Sequence, residues 1–114
     1  MKTVWSYRID NILKVGYSLD EAGLRNWALQ KDDALNALIK LEELQVPILG
    51  GDVCEFINGI LQYNYDNWYC DRLTNESHLD FVSRSIKKAK EYIEHYNIKE
   101  SDKIFFALVP ECNG

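Results

Sequence analysis

The sequence predicts an α+β fold: a small mixed or antiparallel sheet, made of a central β-hairpin and a C-terminal strand, packed against two main amphipathic helices. Three observations predict it. Apolar residues recur at three- and four-residue steps in two long segments, residues 31–44 and 77–96. Between them the chain turns β-branched and aromatic from Pro47 to Tyr69, and breaks at Asn58-Gly59, the strongest short-range hairpin signal. Near the end Ile104-Phe105-Phe106-Ala107-Leu108-Val109 is apolar without interruption, the pattern of a strand buried on both faces and therefore central in the sheet.

The elements are taken in chain order. Residues 8–15 put Ile9, Ile12, Leu13 and Val15 on one short helical face, with Gly16 as its stop. Ser18-Leu19-Asp20-Glu21 has Ser followed three residues later by Glu, the capping-box pattern, and Gly23 limits any helix begun there to a single turn. Residues 24–29 read as extended, with Trp27 and Leu29 on a buried side. In residues 31–44 the stripe is Ala34, Leu35, Leu38, Leu41 and Leu44; Asp32 and Asp33 fall in the first turn, where the helix dipole favours negative charge, and Pro47 ends the helix. Gly50-Gly51 inside the first hairpin strand signals a bulge or a close approach by another backbone, and a further bend is expected near Asp66-Asn67. In residues 77–96 the stripe of Leu79, Val82, Ile86, Ala89, Ile93 and Tyr96 is the clearest in the chain. Ser77 caps that helix, Asn97 closes it, Ser101-Asp102-Lys103 forms a loop, and Pro110 terminates the last strand. So small a sheet has edges, and an edge strand with exposed aromatics can take a partner's strand or join two copies into a homodimer.

The 114 residues fit one domain spanning 1–114, and 46% hydrophobic with 12% aromatic residues is enough to build its core without disulfides or metals. A net charge of −5 speaks against nucleic acid as a ligand, since phosphate binding needs concentrated positive charge. Negative charge is concentrated early: Asp20, Glu21, Asp32, Asp33, Glu42, Glu43, Asp52 and Glu55 face only Arg25, Lys31 and Lys40. A basic group, Arg84, Lys87, Lys88 and Lys90, comes later on one helix. An acidic half-surface favours fast encounter with a basic partner; the plainer explanation of any such bias is a solvated, solubilising face. No run of about 18 apolar residues is present to span a membrane. The first residues carry no apolar signal segment, so the expected location is the cytoplasm. Cys54, Cys70 and Cys112 are odd in number and widely spaced, with no zinc-type grouping with His78 or His95, and are expected as reduced thiols.

Three constellations could carry chemistry. Gly50-Gly51-Asp52-Val53 lacks the Lys-Ser/Thr and following helix of a phosphate loop; a bulge whose Asp52 accepts from nearby backbone N–H groups is the favoured reading. Asn64-Tyr65-Asp66-Asn67-Trp68-Tyr69 mixes aromatics with Asp and Asn, the residue types that anchor protein interfaces. Strand alternation puts Asn64, Asp66 and Trp68 on one face and Tyr65, Asn67 and Tyr69 on the other, so core packing accounts for one face only. Asp52 and Asp66, on adjacent hairpin strands, would suit a small hydrolase if they met. His78 and His95 sit at opposite ends of one helix and cannot share a metal; Cys54 has no base beside it in sequence. No cofactor, metal ligand set or catalytic residue is assigned. Asp33, Glu42, Glu43, Asp52, Glu55, Asp66 and Trp68 are the expected partner contacts.

Asn26-Trp27-Ala28-Leu29, Ile48-Leu49-Gly50-Gly51-Asp52-Val53, Tyr65-Asp66-Asn67-Trp68-Tyr69, the helix carrying Ser85, Ala89, Tyr92 and Ile93, and Phe105-Phe106-Ala107-Leu108-Val109-Pro110 together resemble the immunity protein 40 family of bacterial polymorphic toxin systems. The likeness runs from about Ile12 to Pro110. It implies a small non-enzymatic α+β protein encoded beside a toxin, which it neutralises by tight binding in the producing cell. A nuclease, with its basic cleft, would suit the acidic bias. The alternative is an interaction or regulatory module with no toxin partner.

Overall fold

The computed structural model describes residues 3–97 and 103–112. The element order is α1 (Tyr7–Leu13), β1 (Tyr17–Ser18), a single 3₁₀ turn (Asp20–Ala22), β2 (Trp27–Ala28), α2 (Lys31–Glu43), β3 (Ile48–Ile57), β4 (Ile60–Tyr69), α3 (His78–His95) and β5 (Ile104–Pro110). The fold is α+β, with antiparallel pairing throughout.

Helix ends follow from local hydrogen bonding. Ser6 caps α1 by accepting from the Ile9 N–H at 3.2 Å, and the Asp10 carboxylate takes the Val4 and Trp5 N–H groups at 2.8 and 2.9 Å. Around Ser18 the expected capping box does not form. The Ser18 hydroxyl accepts from Asp20 instead, at 3.2 Å, and the turn closes within three residues. Helix α2 stops before Pro47. Gln45 adopts φ 59°, its N–H reaches the Glu42 carbonyl at 2.9 Å, and the Val46 N–H reaches the Leu41 carbonyl at 2.9 Å. These two bonds make a Schellman termination, with Val46 as its apolar residue. In α3 the Ser77 hydroxyl accepts from Asp80 at 3.1 Å, the predicted cap.

The β3–β4 hairpin turns at Asn58 (φ 54°) and Gly59 (φ 82°), the two consecutive left-handed residues of a type I′ turn. Strand β3 pairs with β4 on one side and β5 on the other, giving the order β4-β3-β5. The middle strand is therefore β3, not β5 as its apolar run suggested. β5 is buried for a second reason: Leu29, continuing β2, exchanges two backbone hydrogen bonds with Phe106, at 2.8 and 2.7 Å. The β1–β2 ribbon thus closes the outer edge of β5, while β4 keeps an outer edge of its own. β4 and β5 run parallel to each other, and α3 is the crossover between them.

The sheet separates two apolar clusters. On one face Ile48, Val53, Trp68, Phe106 and Leu108 pack with residues of all three helices. On the other Cys54, Leu61, Phe105 and Ala107 pack with Leu19 and Ala28. Gly51 lies on the helix-side face directly beneath Trp68: a Cβ there would sit 2.2 Å from Trp68 Cη2. The indole also stacks on Tyr92 of α3, with centroids 4.6 Å apart. Gly51 is thus required by the close approach of a side chain.

One stripe assignment needs correction. Leu79 lies on the α3 stripe but is 59% exposed, since in the first turn the stripe has run past the elements it packs against. Phe81 is fully buried in its stead, with the guanidinium groups of Arg72 and Arg84 at 4.5 and 5.5 Å from its ring centroid. Ser85 is buried too, accepting from the Ile48 N–H at 2.9 Å and donating to the Val82 carbonyl. Of the loop expected at Ser101-Asp102-Lys103, residues 101 and 102 lie outside the described residues.

Candidate functional site

Chain crossings divide the expected acidic surface. Asp20 and Glu21 belong to the 3₁₀ turn, which follows Leu19 on the Cys54 face of the sheet. Asp33, Glu42 and Glu43 are exposed on α2, in the helix layer on the opposite face. Helix α2 packs on β5 and α3 on β3, so α3 stands between the α2 acids and β4. Asp52 and Glu55 are half-buried on β3 and face opposite sides of the sheet. The later basic group is partly committed within the fold. Arg84 makes a forked pair with Glu76, at 2.7 and 2.8 Å, and that hydrogen-bonded pairing holds the Glu76 carboxyl down to about 2. Lys88 donates to the Tyr69 carbonyl.

Asp52 stands across from Asn67 and beside Cys54, whose cross-strand neighbour is Tyr63. Among the described residues no backbone N–H is bonded to the Asp52 carboxylate, so the expected bulge cap does not form; the side chain that acts on it is Tyr63. Burial raises the Asp52 carboxyl above its ordinary value, with the Tyr63 hydrogen bond opposing. Burial also pushes the Cys54 thiol up to about 12, and the Asp52 charge adds to it; Tyr63 rises to about 12 for the same reasons in the same order. A thiol so shifted is protonated at neutral pH, the opposite of what a nucleophile needs. Asp66 is one residue before Asn67 and faces the helix side, where Tyr96, the residue that follows α3, donates to its Oδ2 at 2.6 Å. Asp52 and Asp66 therefore sit on opposite faces of the sheet, and the paired-carboxylate arrangement does not form.

The predicted bend near Asp66 is a pronounced bulge. Between the pairs Asp52↔Asn67 and Cys54↔Tyr63, Val53 alone stands opposite Asn64, Tyr65 and Asp66. Tyr65 holds φ 76° and its side chain is 86% exposed. Side chains hold the bulge in shape: Asn64 Oδ1 accepts from the Asp66 N–H at 2.9 Å, and Asn67 Nδ2 donates to the Tyr65 carbonyl at 3.0 Å. The Asn64 amide also donates to Glu55 Oε2 at 2.8 Å and to the Tyr96 hydroxyl at 3.2 Å. One network thus joins Glu55, Asn64, Asp66 and Tyr96 at the bulge that exposes Tyr65. Glu55 and Asp66 are among the contacts the sequence predicts, and Tyr65 lies in its interface-type segment 64–69; Tyr96, which the sequence places on the helix stripe, joins the network only through the fold. Trp68, also expected as a contact, is 6% exposed and belongs to the core, because the pleat turns it inward onto Gly51.

The remaining reactive groups lie elsewhere. Cys54 and Cys70 are buried and Cys112 is exposed, all three as free thiols. A cleft of about 320 Å³ is lined in part by Trp5, Gln45, His78 and Cys112, and the His78 Nε2 is 2.9 Å from the Gln45 carbonyl oxygen. A second, of about 450 Å³, lies between α1 and Trp27. Neither is lined by Asp52, Cys54 or Asp66. Among the described residues no cluster of His, Cys, Asp or Glu is grouped to hold a metal ion, and no helix is long and apolar enough to cross a membrane.

No curated protein and no solved structure matches this chain. A family model, immunity protein 40, does match, over residues 18–110. That span runs from within β1 to the last residue of β5 and takes in the Gly51–Trp68 contact, the β4 bulge and both long helices; α1 lies before it. With the sheet, its helix layer and the network around Tyr65 all inside the matched segment, this chain belongs to the immunity protein 40 family.

Proposed function

We propose that this protein neutralises a toxin by binding it, in the cytoplasm of the cell that makes both. Membership of an immunity protein family over residues 18–110 carries this reading. Two features support a binding mode. Large apolar and aromatic side chains stand exposed, among them Tyr65, Tyr69, Tyr17 and Phe56, and such groups supply most of the energy of protein interfaces. The exposed α2 acids Asp33, Glu42 and Glu43 are placed to steer a basic partner during encounter, as the cleft of a nuclease toxin would be. The chain acts as one domain and needs no cofactor in this role.

Expression of the neighbouring toxin's catalytic domain in a susceptible host tests the proposal. Co-expression of this chain is expected to restore growth, and the two proteins to elute together in equal amounts. A toxin that stays lethal and elutes alone would overturn the reading. Replacing Asp33, Glu42 and Glu43 together by lysine is expected to slow association at low salt by ~10-fold or more while changing dissociation little.

A further inference from the structure

Four described non-glycine residues hold left-handed backbone: Gln45, Asn58, Tyr65 and Asn75. Three have a local reason. Gln45 is the left-handed residue of the α2 termination, Asn58 opens the hairpin turn, and asparagine is the residue type that best tolerates this conformation at Asn75. Tyr65 has none. A bulky aromatic is a poor choice for φ 76°, and its ring packs on nothing that would repay it, being 86% exposed. Glycine or asparagine would serve the same bulge at less cost. The fold needs the bulge; it does not need a tyrosine there. Strain retained in this way collects at functional positions.

The surroundings indicate what the ring meets. Asp66 follows Tyr65 in the bulge and Glu55 is tied to the bulge through Asn64, each carboxylate oriented by a hydrogen bond, from Tyr96 and from Asn64. Neither carboxylate is in an ion pair among the described residues. A bulge that exposes an aromatic and carries two oriented carboxylates, neither matched by a cation, complements an apolar pocket with positive charge near its rim. Strand addition is the other route by which an edge such as β4 binds. Here it is hindered: the bulge breaks the ladder, and the Asp66 N–H, the Tyr65 carbonyl and the Tyr69 carbonyl are already bonded to side chains.

We infer that Tyr65 is the anchor by which this immunity protein docks on its toxin, inserting into an apolar pocket whose rim carries lysine or arginine. The inference rests on the toxin-binding role proposed above and gives it a location. The bulge holds the ring in its bound position beforehand, so little conformational entropy is lost on docking.

The test uses the purified catalytic domain of the neighbouring toxin and measures association, dissociation and urea midpoint for the full chain and its variants. Tyr65→Gly and Tyr65→Asn are expected to match or exceed the parent in urea midpoint, because both accept positive φ. The same variants are expected to weaken binding by at least ~10-fold, chiefly through faster dissociation. Tyr65→Phe should keep most of the affinity. Glu55→Gln with Asp66→Asn should weaken binding and flatten its salt dependence. If the parent binds and both Tyr65→Gly and Tyr65→Asn bind within ~2-fold of it, the anchor assignment fails while the toxin-binding role stands. Loss of stability in step with affinity in both variants would make Tyr65 a structural residue and also overturn the assignment. If the parent itself does not bind, the role fails and this inference goes with it.

Discussion

Gly51 and Trp68 lie seventeen positions apart and fit only as a pair. The glycine was conspicuous in the sequence as an irregularity inside a strand, and Trp68 as an aromatic in a strand that alternates. Alternation put Trp68 on the face shared with Asn64 and Asp66, as found. What no local rule could supply was the contact itself, since register decides which β3 residue lies under the indole. Gly51→Ala is expected to lower stability by about 1–3 kcal/mol or more, read as a fall in urea midpoint with the slope unchanged. The added methyl would lie 2.2 Å from a ring carbon that Tyr92 holds from the other side, so the indole has no easy retreat. An unchanged midpoint would mean that the ring can shift and that Gly51 is there for another reason.

Elements were easier to find than their ends. Both long helices announced themselves by period, and the hairpin by Asn58-Gly59, because each signal lies within a few residues along the chain. The end of α2 shows the limit. Pro47 was the visible stop, yet the helix had already closed at Gln45 through two backbone bonds that its own last turn makes possible. Gln45 sits there against its conformational preference, with φ 59°. Gln45→Gly is therefore expected to stabilise the protein by about 0.5–1 kcal/mol, the relief of left-handed strain outweighing the greater freedom of glycine in the unfolded chain. Thermal denaturation checks this, and a lowered melting temperature would show that the Gln45 side chain contributes more than its backbone costs. The same logic separates Gln45 from Tyr65: at the first the strain closes a helix, and at the second only a partner can repay it.

For the whole molecule, burial on the Cys54 face couples stability to pH. The Cys54 thiol rises from 9.0 to about 12 and the Tyr63 hydroxyl from 10.0 to about 12 on folding. Between these limits the unfolded chain loses protons that the folded one keeps, so unfolding gains as pH rises. Stability is expected to hold to about pH 9 and then fall steadily towards pH 12, and Cys54→Ala should make that decline shallower. Urea midpoints from pH 7 to 11 measure it; a profile flat through pH 11 would show that these groups are less buried than their contacts imply. At the acid end Glu76, held down to about 2 by Arg84, contributes stability that is present above pH 4.5 and lost as the pH falls towards 2.

What the sequence determined by itself is whatever neighbours along the chain settle: the α+β class, two amphipathic helices, a hairpin with its turn, and a family likeness carried by short strings of residues. Tertiary structure decided the rest. Pairing with both β4 and β5 put β3 in the middle of the sheet, and Leu29 closed the outer edge of β5. The pleat turned Trp68 inward. Asp52 and Asp66 were parted to opposite faces, and the run of acids was divided between both sides of the sheet. The reason is the same each time. Which way a side chain points depends on pairing between distant strands, and residues inserted at the β4 bulge set that pairing, leaving Tyr65 exposed.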